Sequence, residues 1–179
     1  MIATFDFWCV AFLLPFLQTL VEIALLRKGP DAIPRSVIML SMAIILWFFA
    51  ALSALVLIDR FDEMSFVEEA FSVLVAVVCY ATVVVAAGRA PRLLQTITAI
   101  LGCGALLTLV FVAAYGVMQP FEPGGPTRLA AWLILLWSVS IKGHIIARAI
   151  DRHWYLGLAI AVAVFALQRV VNQLISSGS

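Results

Sequence analysis

Charge is what this sequence has least of. Only 12% of its 179 residues are charged, and 65% are hydrophobic. A soluble domain carries about a quarter charged residues. A soluble chain of this length would have no core large enough to hide so much apolar surface, whereas lipid removes the need to hide it. The net charge of +1 and the scatter of Lys and Arg leave no basic face for nucleic acid, so no nucleic-acid partner is expected.

Chemistry-bearing groupings are also missing. Cys9, Cys79 and Cys103 lie far apart in apolar runs, with no C-x-x-C and no Cys/His cluster. They read as small buried residues, and neither a metal nor a cofactor is expected. There is no Ser/His/Asp grouping, no catalytic carboxylate pair and no Walker sequence. The hydrophilic stretches are too short to build a soluble active site. The first residues do not read as a signal peptide: a basic n-region is lacking, Asp6 stands in its place, and no clear small-residue cleavage site precedes Arg27. No internal repeat and no long linker interrupts the chain.

What remains is a series of long apolar runs. Charges, prolines and glycines divide the sequence into segments at 1–26, 37–58, 66–87, 93–118, 129–150 and 154–175. Each is near the roughly 20 residues that a helix needs to cross the hydrocarbon layer. Only helices and closed barrels satisfy their backbone there, and these runs lack the polar–apolar alternation of barrel strands. The expected fold class is therefore all-α: one polytopic transmembrane helix bundle. The breaks carry turn chemistry, from the two prolines and glycine of 27–34 to the glycine–proline run of 120–126.

The charge map predicts an orientation. The first, third and fifth breaks hold Arg27, Lys28, Arg35, Arg89, Arg92 and Arg152, and Lys142 and Arg148 lie toward the same end of the fifth segment. Those eight are most of the 11 basic residues. The positive-inside rule makes that side cytoplasmic. The opposite side holds Asp59, Asp62, Glu63 and Glu122, with Glu68 and Glu69 nearby, and the C-terminus falls there, outside the cytoplasm.

Segment 1–26 has two readings. Thr4, Ala11, Pro15, Gln18 and Glu22 share one helical stripe. Such a helix is either a sixth span, with the N-terminus outside, or an interfacial helix on the cytoplasmic face.

A few residues need a reason to be where they are. Glu22 reads as an interfacial carboxylate paired with Arg27 or Lys28, or as a titrating group inside the bundle. Lys142 and Arg148 read as snorkelling cations that, with Arg89 and Arg92, meet lipid headgroups or a partner. Alternatively, Lys142, His144 and Arg148 line one polar pocket. Gln168, Arg169, Asn172 and Gln173 read as a polar helix end or as a contact surface for a partner helix. Gly102, Gly104, Gly157 and Ala161 are small residues at helical spacing that predict close helix packing, with Ala159 and Ala163 beside them. Trp132, Trp154 and Tyr155 read as interface anchors.

Three stretches carry a resemblance. Leu25-Leu-Arg-Lys-Gly-Pro-Asp-Ala-Ile-Pro34 leads into a span. The second is Arg92-Leu-Leu-Gln-Thr-Ile-Thr-Ala-Ile-Leu-Gly-Cys-Gly-Ala-Leu-Leu107, and the third is Leu136-Trp-Ser-Val-Ser-Ile-Lys-Gly-His-Ile-Ile-Ala-Arg148. Together they resemble small bacterial membrane proteins of the Yip family, which includes Rab-interacting proteins of the eukaryotic secretory pathway. The resemblance implies five spans plus an N-terminal helix, a cytoplasmic N-terminus and a bacterial inner-membrane location. Gly29-Pro30 is similar to a glycine–proline segment of that family, but the acidic–leucine pair that precedes it there is absent here. The resemblance therefore implies a fold and not GTPase binding.

The expected function is a non-enzymatic accessory or scaffold protein that binds partner membrane proteins, forms a homo-oligomer or organises the bilayer. Two further readings stay open: a small transporter or channel using Glu22, Lys142, His144 and Arg148, and an intramembrane enzyme acting on lipid or quinone.

Overall fold

The computed structural model describes residues 3–59, 63–118 and 125–178. Asp62 and Glu122 of the acidic side, and residues 119–124 of the fourth break, lie outside them. The described residues form six helices: α1 (Ala3–Ala24), α2 (Val37–Ala54), α3 (Glu63–Ala86), α4 (Leu93–Met118), α5 (Gly125–Ala149) and α6 (Trp154–Gly178). A π-helical turn at Leu55–Asp59 extends α2, and short 3-10 turns at Pro30–Ala32 and Ala90–Arg92 precede α2 and α4. No strand occurs among the described residues. Among the described residues four stretches are long and apolar enough to cross a membrane: Val37–Leu57, Ala90–Val117, Leu129–Ala149 and Trp154–Leu174. Helices α1 and α3 contribute shorter apolar stretches, Leu13–Ala24 and Ala70–Ala86.

Three helix ends are built alike. Helices α1, α3 and α5 each stop at a residue with left-handed backbone: Leu26 (φ 61°), Gly88 (φ 73°) and Asp151 (φ 52°). The amide of the next residue then reaches five positions back, Arg27 to the Glu22 carbonyl, Arg89 to Val84 and Arg152 to Ala147. This is the long hydrogen bond of the Schellman motif, which satisfies a carbonyl that the helix can no longer use. In each case the residue donating that amide is arginine, whose charge suits the negative end of the helix dipole. The turns leading into α2 and α4 both use a proline in the first 3-10 positions, Pro30 and Pro91. Ser36 then caps α2 by accepting from the Ile38 amide at 3.2 Å.

Helix α4 is the hub. It packs against α1, α2, α3 and α5, and 44% of its apolar stretch is buried, against 22% for α2 and for α5. Helices α5 and α6 form an antiparallel pair in which Gly143 and Gly157 let the two backbones touch. A Cβ on Gly143 would lie 2.9 Å from the Leu158 Cα, and one on Gly157 would run into the Gly143 carbonyl oxygen and lie 2.7 Å from the Ala147 Cβ. Such small-residue crossings hold helices together where no hydrophobic drive separates protein from lipid. Gly102 does the same for α1, because a Cβ there would meet the Leu20 side chain at 2.7 Å. Phe16, Leu20 and Ile23 carry α1 into the core shared with Tyr80, Val84, Ile100, Ile141 and Ile145.

Gly104 differs from the close packing expected of it. A Cβ there would meet nothing within 4 Å, because this face of α4 borders a cavity instead of a neighbouring helix.

Candidate functional site

The polar residues of the bundle fall into two places, the basic end and an internal cavity. At the basic end the segment after α1 folds over the ends of α4 and α5. Gln95, buried in the first turn of α4, donates its amide to the Ile33 carbonyl and to the Asp31 carbonyl at 3.5 Å. Its oxygen accepts from Arg35 at 3.3 Å. Nearer the middle of α5 the Trp137 indole donates to the Ala24 carbonyl at 3.1 Å, and toward its basic end the His144 Nε2 lies 3.2 Å from the Lys28 carbonyl. Gly29 is buried against the Arg148 side chain, which would lie 3.2 Å from a Cβ at that position. Each contact fastens a main-chain carbonyl or a close approach that no helix satisfies.

The third and fifth breaks, at the same end, are joined by charge. Asp151 pairs with Arg89 at 2.9 Å and with Arg92 at 2.8 Å. The same Arg92 nitrogen reaches the Arg148 carbonyl at 3.1 Å and the Ala149 carbonyl at 3.3 Å. The Arg92 hydrogen bond, helped by the nearby charges of Arg89, Arg92 and Arg148, holds the Asp151 carboxyl below the usual aspartate range. Near the end of α1, Glu22 pairs with Lys28 at 2.6 Å, both half-exposed. The Arg27 and Arg152 side chains are exposed and make no hydrogen bond or ion pair among the described residues.

The second place is a partly open cavity of about 480 Å³ lined by α2, α3, α4, α5 and α6. Its wall is mostly aliphatic and aromatic, including Trp47, Ile100, Leu107, Phe111 and Phe165. Its polar lining is Lys142, Tyr80, Ser138, Thr108 and Gln168. The Gln168 amide is held by Ser72, donating to its carbonyl and its hydroxyl at 3.0 Å each. Lys142 is half-buried and has no ion-pair or hydrogen-bond partner among the described residues.

Lys142, His144 and Arg148 therefore do not converge. Lys142 shares the cavity-lining face of α5 with Leu135, Ser138 and Val139, whereas His144 and Arg148 meet the 25–36 segment. Lys142 is turned into the bundle and does not snorkel outward. At the far end of α6, Arg169 lies over the Phe165 ring at 5.1 Å, and the buried Asn172 Oδ1 has no hydrogen-bond partner among the described residues.

Gln95 and Asp151 escaped the sequence reading. Gln95 is a single amide in an apolar run, three positions after Arg92, and that offset was its one signal. Asp151 was masked by its basic surroundings, although an isolated acid beside Arg152 and Arg148 is itself a cue for pairing.

Hydroxyls elsewhere are held within their own helices. Ser41, Ser53, Thr82, Thr96, Thr98 and Ser140 each donate to the carbonyl four residues earlier. This is how Ser and Thr are accommodated at apolar depth. Among the described residues no three of His, Cys, Asp and Glu gather at metal-binding distance. No family model, curated protein or solved structure matches the chain.

Proposed function

We propose that the chain is an integral membrane accessory protein that acts by contact with partner membrane proteins or with further copies of itself. In this reading α2–α6 span a bacterial inner membrane. Helix α1 enters from the cytoplasmic side and packs into the bundle with Leu20 against Gly102, and the end holding Arg27, Arg89, Arg92 and Arg152 faces the cytoplasm. The observation that carries the reading is the use made of the polar groups at the basic end. Gln95, Arg92 and His144 point at main-chain carbonyls of adjoining segments. They brace a platform and are not gathered round an open cleft.

The outward surfaces support the same reading. Ile44, Ile45, Phe48 and Phe49 on α2, and Leu129, Trp132, Leu133 and Leu136 on α5, are large and exposed. Such faces are stable against lipid or another helix and not against water. The resemblance of 25–34, 92–107 and 136–148 to Yip family membrane proteins agrees with this topology. The test is native mass spectrometry of the full chain extracted in mild detergent, after crosslinking in cells. A defined oligomer or a stoichiometric partner is expected. A strictly monomeric species with no crosslinked partner would overturn the proposal.

One observation favours a second reading, a small-solute transporter: Lys142 lines an internal cavity. That reading requires solute flux in liposomes, and loss of flux in Lys142→Ala.

A further inference from the structure

The cavity among α2–α6 pairs one charged group with a mostly apolar wall. Lys142 is the only charged residue lining it, and no Asp or Glu faces it among the described residues. An ammonium at hydrocarbon depth is costly unless an anion or a set of acceptors meets it. Lys142 lacks either within the described protein. Its side chain could reach the headgroup region only by turning outward, as lysines near helix ends ordinarily do. Here it lines the interior.

The polar groups are also placed unevenly along the cavity. Lys142 and Tyr80 are each about two helical turns from the basic end of α5 and α3 respectively, so they stand at one level. From there the lining continues about three turns deeper along α5, through Leu135 and Ile134 to Ala131, with Leu107 and Phe111 of α4 opposite. Gln168, Ser138 and Thr108 also face this deeper part, but they are uncharged, and the Gln168 amide hydrogens are engaged by Ser72. Gly104 leaves the wall open where any other residue would narrow it. A mostly apolar cavity with a cation and a phenol toward one end suits an amphiphile. A cavity of this volume is in the usual range for small ligands.

We propose that this cavity binds a single-chain amphiphile with an acidic headgroup, a fatty carboxylate or a singly acylated phosphate. Lys142 holds the acid, Tyr80 donates a second hydrogen bond to it, and the chain lies along α4 and α5 toward Phe111 and Ala131. The lipid supplies the counter-charge that the protein omits, and the hydrocarbon fills the space that Gly104 leaves open.

The test uses the full chain, delipidated in a neutral detergent. Binding is read by native mass spectrometry and by quenching of tryptophan fluorescence with brominated palmitate, since Trp47 lines the cavity. Palmitate and lysophosphatidate are compared, which separates the carboxylate from the phosphate source. Monopalmitoylglycerol serves as the neutral probe, and acetate and inorganic phosphate as headgroups alone. One of the two acidic amphiphiles should bind saturably at one per chain. Lys142→Met should weaken it by about tenfold or more, and Lys142→Arg should retain it, as expected for loss or retention of a charge-assisted hydrogen bond. Gly104→Leu fills open space, so it should abolish binding while leaving the thermal midpoint unchanged or raised.

Equal binding of monopalmitoylglycerol, binding unaffected by Lys142→Met, or binding unaffected by Gly104→Leu in a folded protein would each overturn the proposal. So would the absence of binding by both acidic amphiphiles, or tight binding of acetate or phosphate alone.

Discussion

Arg92 at the start of α4 reaches across to Asp151, 2.8 Å away in the turn after α5. The same nitrogen faces the last two carbonyls of α5. One guanidinium nitrogen carries two N–H groups and is shared here among three acceptors. The contact fixes the order of the basic end: α4, the hub of the bundle, is tied to the tip of the α5–α6 hairpin. Arg89, on the other oxygen of Asp151, ties in the end of α3.

Removing the Arg92 donors while keeping the apolar stem should loosen this tie. In Arg92→Met the Arg148 and Ala149 carbonyls lose a donor, and Asp151 keeps only Arg89. The two carbonyl hydrogen bonds alone should account for a loss of about 1 kcal/mol. It would be read as a lowered thermal midpoint of the purified protein in detergent, with the helical circular dichroism unchanged at low temperature.

The same pair predicts a pH dependence. The folded Asp151 carboxyl titrates below its unfolded value, chiefly because of the Arg92 hydrogen bond. Its stabilising contribution is therefore complete above the ordinary aspartate value of about 4 and is lost as pH falls through the lower folded value. The thermal midpoint should decline below about pH 4, and Asp151→Asn should flatten that part of the curve. Because the carboxylate is exposed, high salt should shrink the difference between the two proteins.

The α5–α6 crossing tolerates no side chain. Gly157→Ala should cost about 1–3 kcal/mol through overpacking against Gly143 and Ala147. Gly116→Ala is the control, since a Cβ there meets nothing within 4 Å. Thermal unfolding of the two variants in the same detergent should separate them clearly.

Gly88 isolates a backbone effect from a packing effect. A Cβ there meets nothing within 4 Å, but the backbone is left-handed at φ 73°. Gly88→Ala should therefore destabilise by about 1 kcal/mol through backbone strain alone. A circular dichroism melt showing no loss would mean that the end of α3 relaxes into another turn.

The helical class was legible because the apolar runs are too long and too uniform for anything else, and because Gly88, Pro30 and Pro91 punctuate them. That same uniformity hid the rotation of each helix. A helix apolar on all sides does not encode which face meets its neighbours, so nothing in the sequence around Lys142 distinguished an inward lysine from an outward one. Gly102 and Gly104 illustrate the limit: they sit two positions apart in one run, yet one packs on Leu20 and the other borders a cavity. The partnership of Gln95 with Ile33 was equally hidden, since it joins residues 62 positions apart.

The account turns most directly on the basic end being one cytoplasmic surface of a membrane-spanning bundle. Single cysteines at Arg27, Ala90, Arg152 and Val67, in a background with Cys9, Cys79 and Cys103 replaced by alanine, can be labelled in intact cells and in inverted membrane vesicles with a thiol reagent that does not cross the membrane. The account predicts labelling of the first three only in inverted vesicles, and of the Val67 position only in intact cells. Labelling of Arg27, Ala90 and Arg152 positions from opposite sides, or extraction of the protein from membranes by alkaline carbonate, would contradict it.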